Sequence, residues 1–423
     1  MALPGSSLAC RRRVLPIAWA VALGLVGSPV LAGPGPEPDW LELLAPAEGE
    51  TESAVPLLEV RGRAGARGLR GHDIVLLIDV SGSTTRPSGL DLDGDGDGGR
   101  TSADRLRALE SDGASKLLRK RLATLDLEDS VLFAELLAAE HLLARLRPQA
   151  VRVGIVTFSD RARVRAPLGT PPRGLERALR EVRRDFHADL RGTHFADAID
   201  TAVALLRPPA APVEETSEAV PLVSTEARRE ASILLLSDGA PTLPVHRDRA
   251  RLAALAAADR AFAAEVRIYS FALGNEADDA LDVYAGMAAR TGGRMERLER
   301  PGDAIARLRL VDLADLQELE VHNLTTGQPA RAVRRFPDGS FDGFVLLAEG
   351  LNRLRVTAVA SDGRRASAER RVRYTKGASD GEAEALLEEL RRRTRETELW
   401  AELEHGRADT VLEVDLRVSG RDD

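Results

Sequence analysis

The chain contains 423 residues, of which 43% are hydrophobic and 30% are charged, and its formal net charge is −8 at pH 7. This length exceeds one typical domain and predicts two or three. The apolar content suffices for buried cores, and the negative charge, with arginine interleaved among acidic residues, argues against nucleic acid as a partner.

The first 32 residues have the pattern of a secretory signal peptide. Arg11–Arg13 precede an apolar run from Val14 to Val30, and small residues predict cleavage after Ala32. We therefore expect export to the periplasm or the cell surface, with an uncleaved membrane anchor as the alternative. The only cysteine, Cys10, would leave with the signal peptide, so the mature chain would hold no disulfide. No other stretch predicts a membrane span.

Residues 71–313 alternate between predicted strands and helices. Apolar runs typical of buried strands, followed by one shorter strand, are His72–Val80, Val151–Ser159, Ala231–Ser237, Val266–Leu273 and Arg294–Leu298. The predicted helices are Leu132–Leu146, Leu175–Phe186, Thr193–Leu206, Arg247–Glu265, Asp278–Thr291 and Asp303–Leu313. This alternation predicts an α/β fold with a doubly wound, mainly parallel sheet. Such sheets bind ligands beyond the carboxyl ends of their strands, where the strand order reverses.

The two flanks of this segment have β character. Leu41–Ala66 and Leu316–Tyr374 show apolar alternation and turn residues, without a helical pattern. Leu351–Ala360 alternates most regularly, and the dipeptide Asp362-Gly363 is a turn signal beside it. Both flanks are therefore predicted to form antiparallel strands.

Two parts of these flanks resemble the two halves of a bacterial immunoglobulin-like domain. Ala45–Gly49 and Leu58–Ala64 are similar to its opening, and Asp338–Gly363 is similar to its remainder. Since the first part alone has too few strands for a stable sandwich, we expect one small all-β domain formed by residues 40–70 and 316–375. The α/β domain would be inserted into it. Two separate β pieces are the alternative.

The C-terminal segment, residues 380–423, is rich in Glu, Arg and Leu. It predicts a helix over Glu382–Glu404 whose apolar spacing is imperfect, so both a docked helix and a coiled coil remain open. Val411–Val418 has the alternation of one last strand.

Five oxygen-bearing side chains stand where the predicted fold would bind a ligand. Asp79, Ser81 and Ser83 follow the first buried strand, and Gly82 between them permits a tight turn. Asp238 follows the strand that ends at Ser237, and Thr193 lies where a loop meets a helix. Hard divalent cations prefer oxygen ligands, and Mg²⁺ accepts few protein charges. These residues therefore predict a divalent metal site.

Three motifs, DVSGS at 79–83, GTHFADAI at 192–199 and LLLSDGAPT at 234–242, resemble the metal-ion-dependent adhesion site of von Willebrand factor type A domains. The resemblance covers residues 71–313 and implies that Ser81, Ser83 and Thr193 bind Mg²⁺, or else Mn²⁺ or Ca²⁺. It implies that Asp79 and Asp238 bind the ion directly or through water. A protein partner would supply a further carboxylate, and the sheet would have one antiparallel edge strand.

Two other functions remain open. A metal-dependent phosphohydrolase would also have an aspartate after the first strand, but this chain has Ser81 where the second carboxylate would stand, and no lysine follows Asp238. We therefore do not expect an enzyme. A structural envelope module with an idle metal site is the other alternative. His194 is interpreted as a helix-start or surface histidine.

An acidic loop interrupts the passage from the first strand to the first helix, within an insertion over residues 84–130. Its candidate calcium ligands are Asp91, Asp93, Asp95 and Asp97, and the pattern resembles the start of an EF-hand loop with Gly96 at the sharp turn. The twelfth position is Ser102 instead of the bidentate acid, for which Asp104 is the substitute. A flexible acidic loop without calcium is the alternative.

Overall fold

We analysed a computed structural model that describes residues 40–99, 127–186, 192–208, 229–245, 247–376 and 384–395. The predicted signal peptide and Cys10, the loop positions Ser102 and Asp104, and the predicted strand Val411–Val418 lie outside the described residues. Within those ranges, none of the helices is both long and apolar enough to cross a membrane.

A six-stranded sheet lies at the centre of the α/β part, as predicted. Its strands are β4 (His72–Asp79), β5 (Val151–Phe158), β6 (Ala162–Ala166), β7 (Glu230–Ser237), β8 (Val266–Leu273) and β9 (Met295–Leu298). The order is β6-β5-β4-β7-β8-β9, and all pairs are parallel except β5 with β6 at the edge. The chain adds β5 on one side of β4 and β7 on the other. The strand order therefore reverses beside β4, where such sheets bind ligands.

Helices cover both faces of this sheet. They are α1 (Val131–Arg145), α2 (Pro172–Arg184), α3 (Phe195–Leu206), α4 (Arg247–Ala263), α5 (Leu281–Thr291) and α6 (Ala304–Arg309). One apolar cluster packs α1, α2 and α6 on one face, and a second packs α3, α4 and α5 on the other. The alternating inward and outward faces of the buried strands supply both clusters, which explains their continuous apolar sequences.

The start of α3 differs from the prediction by two residues. Thr193 does not cap the helix, which begins at Phe195. The backbone amide of His194 donates to the Ser159 carbonyl at 2.8 Å, and that of Thr242 donates to the Thr193 carbonyl at 2.9 Å. These long-range hydrogen bonds hold residues 193 and 194 outside the helix, between Ser159 and Thr242, so the helix starts later.

The flanks form two further sheets, and each sheet contains strands from both flanks. The strands are β1 (Leu41–Ala45), β2 (Glu50–Ser53), β3 (Leu57–Ala64), β10 (Leu316–Asn323), β11 (Gln328–Pro329), β12 (Arg331–Arg335), β13 (Ser340–Leu346), β14 (Gly350–Ala360) and β15 (Arg365–Tyr374). The sheet orders are β1-β3-β13-β12 and β11-β10-β14-β15-β2. All pairs are antiparallel except β2 with β15. That parallel pair joins strands far apart in sequence, which no hairpin constrains to run in opposite directions.

The described part of the predicted C-terminal helix, α7 over residues 384–395, lies against these sheets. Leu386 and Leu390 contact Leu57 and Phe344. The Arg393 guanidinium forms ion pairs with Glu59 at 2.7 Å and with Asp342 at 3.3 Å. This part of the helix is therefore docked on the β strands.

Candidate metal centre

The candidate metal centre lies at the carboxyl edge of two neighbouring parallel strands. Asp79 ends β4, and Asp238 follows the last residue of β7. The two strands pair in parallel up to Ile78 and Leu236, which brings both aspartates to the same edge. Asp79 is 0% exposed and Asp238 is 2% exposed. The sheet thus buries two carboxylates together at the point where the strand order reverses.

The turn after β4 is organised by hydrogen bonds that link four of the five predicted residues. The Ser81 amide donates to Asp79 Oδ1 at 2.8 Å. The Ser81 and Ser83 hydroxyl oxygens lie 3.0 Å apart, and Ser83 Oγ donates to Asp238 Oδ1 at 2.7 Å. Exposed Gly82 lies between the two serines. Both serine hydroxyls are therefore held between the two carboxylates.

The fifth predicted residue, Thr193, reaches the same place from another loop. Its amide donates to Thr242 Oγ1 at 2.8 Å, which ties it to the loop after β7. Gly192 before it has φ +83°, and a Cβ there would come within 2.8 Å of Leu243 Cδ1, so glycine is required for this close approach. A Cβ placed on Gly239 would lie 3.6 Å from Ser83 Oγ and 3.8 Å from Thr193 Oγ1. The structure thus brings all five predicted residues together around a small space that Gly239 leaves open.

The charges of this centre are incompletely balanced by the protein. Burial raises the pKa of Asp79 to about 6, although hydrogen bonds from Ser237 and Ser81 act in the opposite direction. Burial and the nearby Asp79 charge raise the pKa of Asp238 to about 7. Among the described residues, no hydrogen-bond partner is found for the buried Oδ2 of Asp238. The donor set fits a hard divalent cation, because the oxygens are close together and one of them lacks a partner.

Two residues that the sequence analysis gave no role support this centre. Ser237 Oγ donates to Asp79 Oδ2 at 2.5 Å. Tyr284 Oη donates to the Gly239 carbonyl at 2.6 Å and lies 3.2 Å from the Ser237 carbonyl. Ser237 stands inside the LLLSDG motif, which was a usable signal. No local sequence pattern predicts the role of Tyr284, because its contact with Gly239 depends on how α5 packs against the sheet.

A third buried carboxylic acid, Glu135 on α1, also lies near the centre. It is 0% exposed. Burial raises its pKa well above the usual range, and the charges of Asp79 and Asp238 raise it further. A signal existed in the sequence: Glu135 stands four residues after Val131 and seven before Leu142, on the apolar face of a predicted helix.

The acidic loop forms a separate group of carboxylates. One carboxylate oxygen from each of Asp91, Asp93, Asp95 and Asp129 lies within 4.8 Å of the others, whereas Asp97 is not part of this group. The Leu92 amide donates to Asp129 Oδ1 at 2.5 Å. Asp129 is fully buried and was not predicted, since it follows the loop by more than thirty residues and no local pattern connects them.

Glycine at position 99 explains how this loop reaches Asp129. Gly99 has φ +70°, a conformation that favours glycine, and a Cβ there would lie 3.0 Å from Pro87 Cβ and 3.3 Å from Asp129 Cβ. The chain after Asp97 therefore turns back against Pro87 and Asp129. The fourth carboxylate of the group comes from Asp129 and not from Asp97.

A cavity of about 470 Å³ lies beside Asp238 and is open to solvent. Its walls include Pro87, Leu273 and Pro301, and an ion pair between Arg86 and Glu276 borders it. The cavity has a size typical of ligand pockets, and it is continuous with the carboxyl edge of the sheet.

Residues 122–240 match the family model of the von Willebrand factor type A domain. This segment contains Thr193 and Asp238 but not the DVSGS turn. Comparison with curated proteins gave no match.

Several solved structures are similar to this chain. An aerotolerance-related membrane protein from Bacteroides fragilis is 12% identical, with a TM-score of 0.36, covering 57% of this chain and 98% of that one. BatB from Bacteroides thetaiotaomicron is 13% identical, with a TM-score of 0.33, covering 56% and 98%. Proximal thread matrix protein 1 from the mussel byssus, solved with a zinc-occupied MIDAS motif, is 11% identical, with a TM-score of 0.32, covering 63% and 51%.

Proposed function

We propose that this protein binds a protein partner through a divalent metal ion held by Asp79, Ser81, Ser83, Thr193 and Asp238. The unpartnered Oδ2 of Asp238, noted above for the described residues, carries the proposal. A buried carboxylate oxygen without a partner is costly, and a cation facing it would remove that cost. The hydroxyls of Ser83 and Thr193 border the same space. The five side chains therefore offer oxygen ligands for a cation, which would balance a carboxylate that their own hydrogen bonds leave incompletely satisfied.

The composition of the donor set favours a hard cation. Two carboxylates and three hydroxyls offer only oxygen, which suits Mg²⁺ first and Mn²⁺ or Ca²⁺ as alternatives. Such an ion, when bound, would supply a positive charge able to accept a carboxylate from a partner. Gly82 is exposed at this edge, and the cavity beside Asp238 offers room for partner residues next to that carboxylate.

The proposal is binding rather than catalysis. Within the described part of the chain, the carboxylates at the centre, Asp79, Asp238 and Glu135, are at most 2% exposed. A general base must come within hydrogen-bond reach of the proton that it removes from a substrate. Because these three carboxylates are almost fully buried, we propose that a bound ion, and not a general base, would meet the partner at this face.

The setting that we propose is outside the cytoplasm. Export through the predicted signal peptide would bring the site to the periplasm or the cell surface, among other envelope proteins. Without a disulfide, the exported chain would depend on its cores and on bound metal for stability.

Capture from a cell-envelope extract tests the proposed function. The immobilised protein, in Mg²⁺, is expected to retain a defined partner that is released by chelator and recaptured when Mg²⁺ is restored. The matched control is the Asp79→Ala variant in Mg²⁺, which should capture nothing specific. Identical capture under all these conditions contradicts metal-dependent binding. Metal-dependent hydrolysis of a phosphoester by the wild type would favour the enzyme alternative instead.

We also propose that the acidic loop binds Ca²⁺ through Asp91, Asp93, Asp95 and Asp129. Four carboxylates that converge within 4.8 Å repel one another unless a cation lies among them, and Ca²⁺ accepts several carboxylates in flexible geometry. Asp129 would supply the acidic ligand that is absent from the twelfth position of the loop.

Two aspartate variants distinguish this second site from a flexible acidic loop. Asp93→Asn is expected to lower Ca²⁺ affinity at least roughly tenfold, because it removes one charged ligand. Asp97→Asn, four residues further along and outside the group, is expected to leave the affinity unchanged. Calorimetric titration with Ca²⁺ measures both. Equal loss in both variants would mean that only the general negative charge of the loop attracts the ion.

We further propose that the two β flanks form one immunoglobulin-like domain that the α/β domain interrupts. The pairing of β3 with β13 and of β2 with β15 supports this division. In this arrangement the sandwich is a stalk or spacer, and the metal centre lies on the inserted domain.

A further inference from the structure

Helix α1 buries an acidic residue on its apolar face. The helix begins at Val131, where the Phe133 amide donates to Ser130 Oγ at 3.2 Å and caps the first turn. Its buried face is otherwise apolar, with Val131, Ala138 and Leu142 in the core beneath the sheet. Glu135 occupies this face and is 0% exposed. Burial of a carboxyl group at an apolar position is costly unless something compensates for it.

The described protein supplies little of that compensation, and only from the backbone of Asp79. Among the described residues, neither carboxylate oxygen of Glu135 has a hydrogen-bond partner. Its carboxyl lies against the backbone of Asp79, and the charged groups that act on it are the carboxylates of Asp79 and Asp238. Neighbouring like charges add to the cost of burial.

The neighbouring hydroxyl groups are already used by other acceptors. Ser237 Oγ donates to Asp79 Oδ2 at 2.5 Å. Tyr284 is also near Glu135, whose charge is among the causes that raise the pKa of the tyrosine. Tyr284 Oη donates to the Gly239 carbonyl at 2.6 Å. Neither hydroxyl hydrogen is available to Glu135. A cation bound at the centre could compensate all three buried carboxyl groups at once.

We infer that Glu135 is a third acidic group of the metal centre, a positioning residue that acts on the bound cation through Asp79. This inference rests on the proposed function. The cation balances the charge of Glu135, and Glu135 strengthens the hold of Asp79 on the cation. Without the cation, three buried carboxyl groups influence one another electrostatically, which favours the uptake of an ion.

The variant Glu135→Gln tests the inference because it keeps the side-chain shape and removes the charge. Outer-shell groups of metal sites commonly contribute 10–100-fold to metal affinity, so a loss of roughly 10–100-fold in Mg²⁺ and Mn²⁺ affinity is expected by calorimetry. The Tm of the chelated variant is expected to rise above that of the chelated wild type, because a neutral amide costs less to bury than a carboxyl group without a hydrogen-bond partner among the described residues. A residue with a merely structural role would not produce these two opposite changes.

The control is Glu140→Gln, which lies on the same helix but is partly exposed, and which should change neither quantity. A Glu135→Gln protein with wild-type metal affinity overturns the inference, and the proposed function stands if Asp79→Ala still abolishes binding. A wild type that binds no divalent cation overturns both.

If Glu135→Gln folds poorly, Glu135→Met provides the second test: an apolar side chain on this face should again raise the chelated Tm and weaken metal binding. A lower chelated Tm with unchanged metal affinity in both variants identifies Glu135 as structural and overturns the inference.

Discussion

Replacing Asp79 with alanine is expected to abolish divalent cation binding, with the Kd for Mg²⁺ rising by more than about 100-fold. Loss of an outer-shell partner alone lowers the metal affinity of a site by about 10–100-fold. Asp79 is one of only two carboxylates in the predicted ligand set. Asp79 also accepts hydrogen bonds from the Ser81 amide and from Ser237 Oγ, so its removal loosens the turn that carries both serines. Calorimetric titration with Mg²⁺ and Mn²⁺ measures the effect, and circular dichroism checks that the sheet is intact.

The matched control for this prediction is Asp160→Asn. Asp160 is also an aspartate that follows a strand of the same sheet, but it is exposed, and its carboxylate lies 3.2 Å from Ser159 Oγ. An exposed charge in high dielectric has little influence on a buried site, so the Kd should change less than about threefold. Retention of metal binding by Asp79→Ala, or equal loss in Asp160→Asn, would show that general surface charge holds the ion and not the buried centre.

Replacing Phe341 with alanine is expected to lower the free energy of unfolding of the β sandwich by about 3–5 kcal/mol. Phe341 is 0% exposed on β13 and lies directly opposite Gly62 on β3. Its ring fills the space above Gly62, where a Cβ would come within 2.3 Å of Phe341 Cζ. Removal of the ring leaves a cavity that a glycine neighbour cannot fill. The apolar cluster around it contains Leu41 from one flank and Val356 from the other.

Hydrogen exchange distinguishes one shared domain from two separate β pieces. In Phe341→Ala, the amides of residues 41–64 and of residues 316–374 are expected to lose protection together, because both pack on the same cluster. The control, Phe262→Ala on α4, removes a ring that is 64% exposed and should change stability by no more than about 0.5 kcal/mol. If residues 41–64 kept their protection while the second flank exchanged, the flanks would be independent, and the proposed single domain would be wrong.

Local sequence patterns predicted most of the α/β part. β4, β5, β7 and β8 were assigned within one residue at each end, because strands buried on both faces are continuous apolar runs. The edge strand β6 was implied by the family resemblance but not located. Its residues are mostly exposed, so their sequence, ARVRA, carries no strong burial signal.

The five residues of the candidate centre were also accessible from sequence, because each stands directly at a strand end or before a helix. In a parallel sheet such positions converge whatever the details of packing, so residue type and strand order suffice to group Asp79 with Asp238. Ser237 and Glu135 carried signals that were not used: a hydroxyl inside the motif, and an acid on an apolar helix face. Tyr284 carried none.

What the sequence determined by itself was the set of local elements and the chemistry at their ends, since periodicity and turn residues act over a few positions. Only the tertiary structure decided which distant segments meet. It brought Asp129 to the acidic loop in place of Asp97, enclosed Glu135 beside Asp79, and paired β3 with β13. These contacts depend on how buried surfaces pack across long separations in the chain. No pattern within a single segment predicts that packing, because its free energy depends on the side chains of both packed segments.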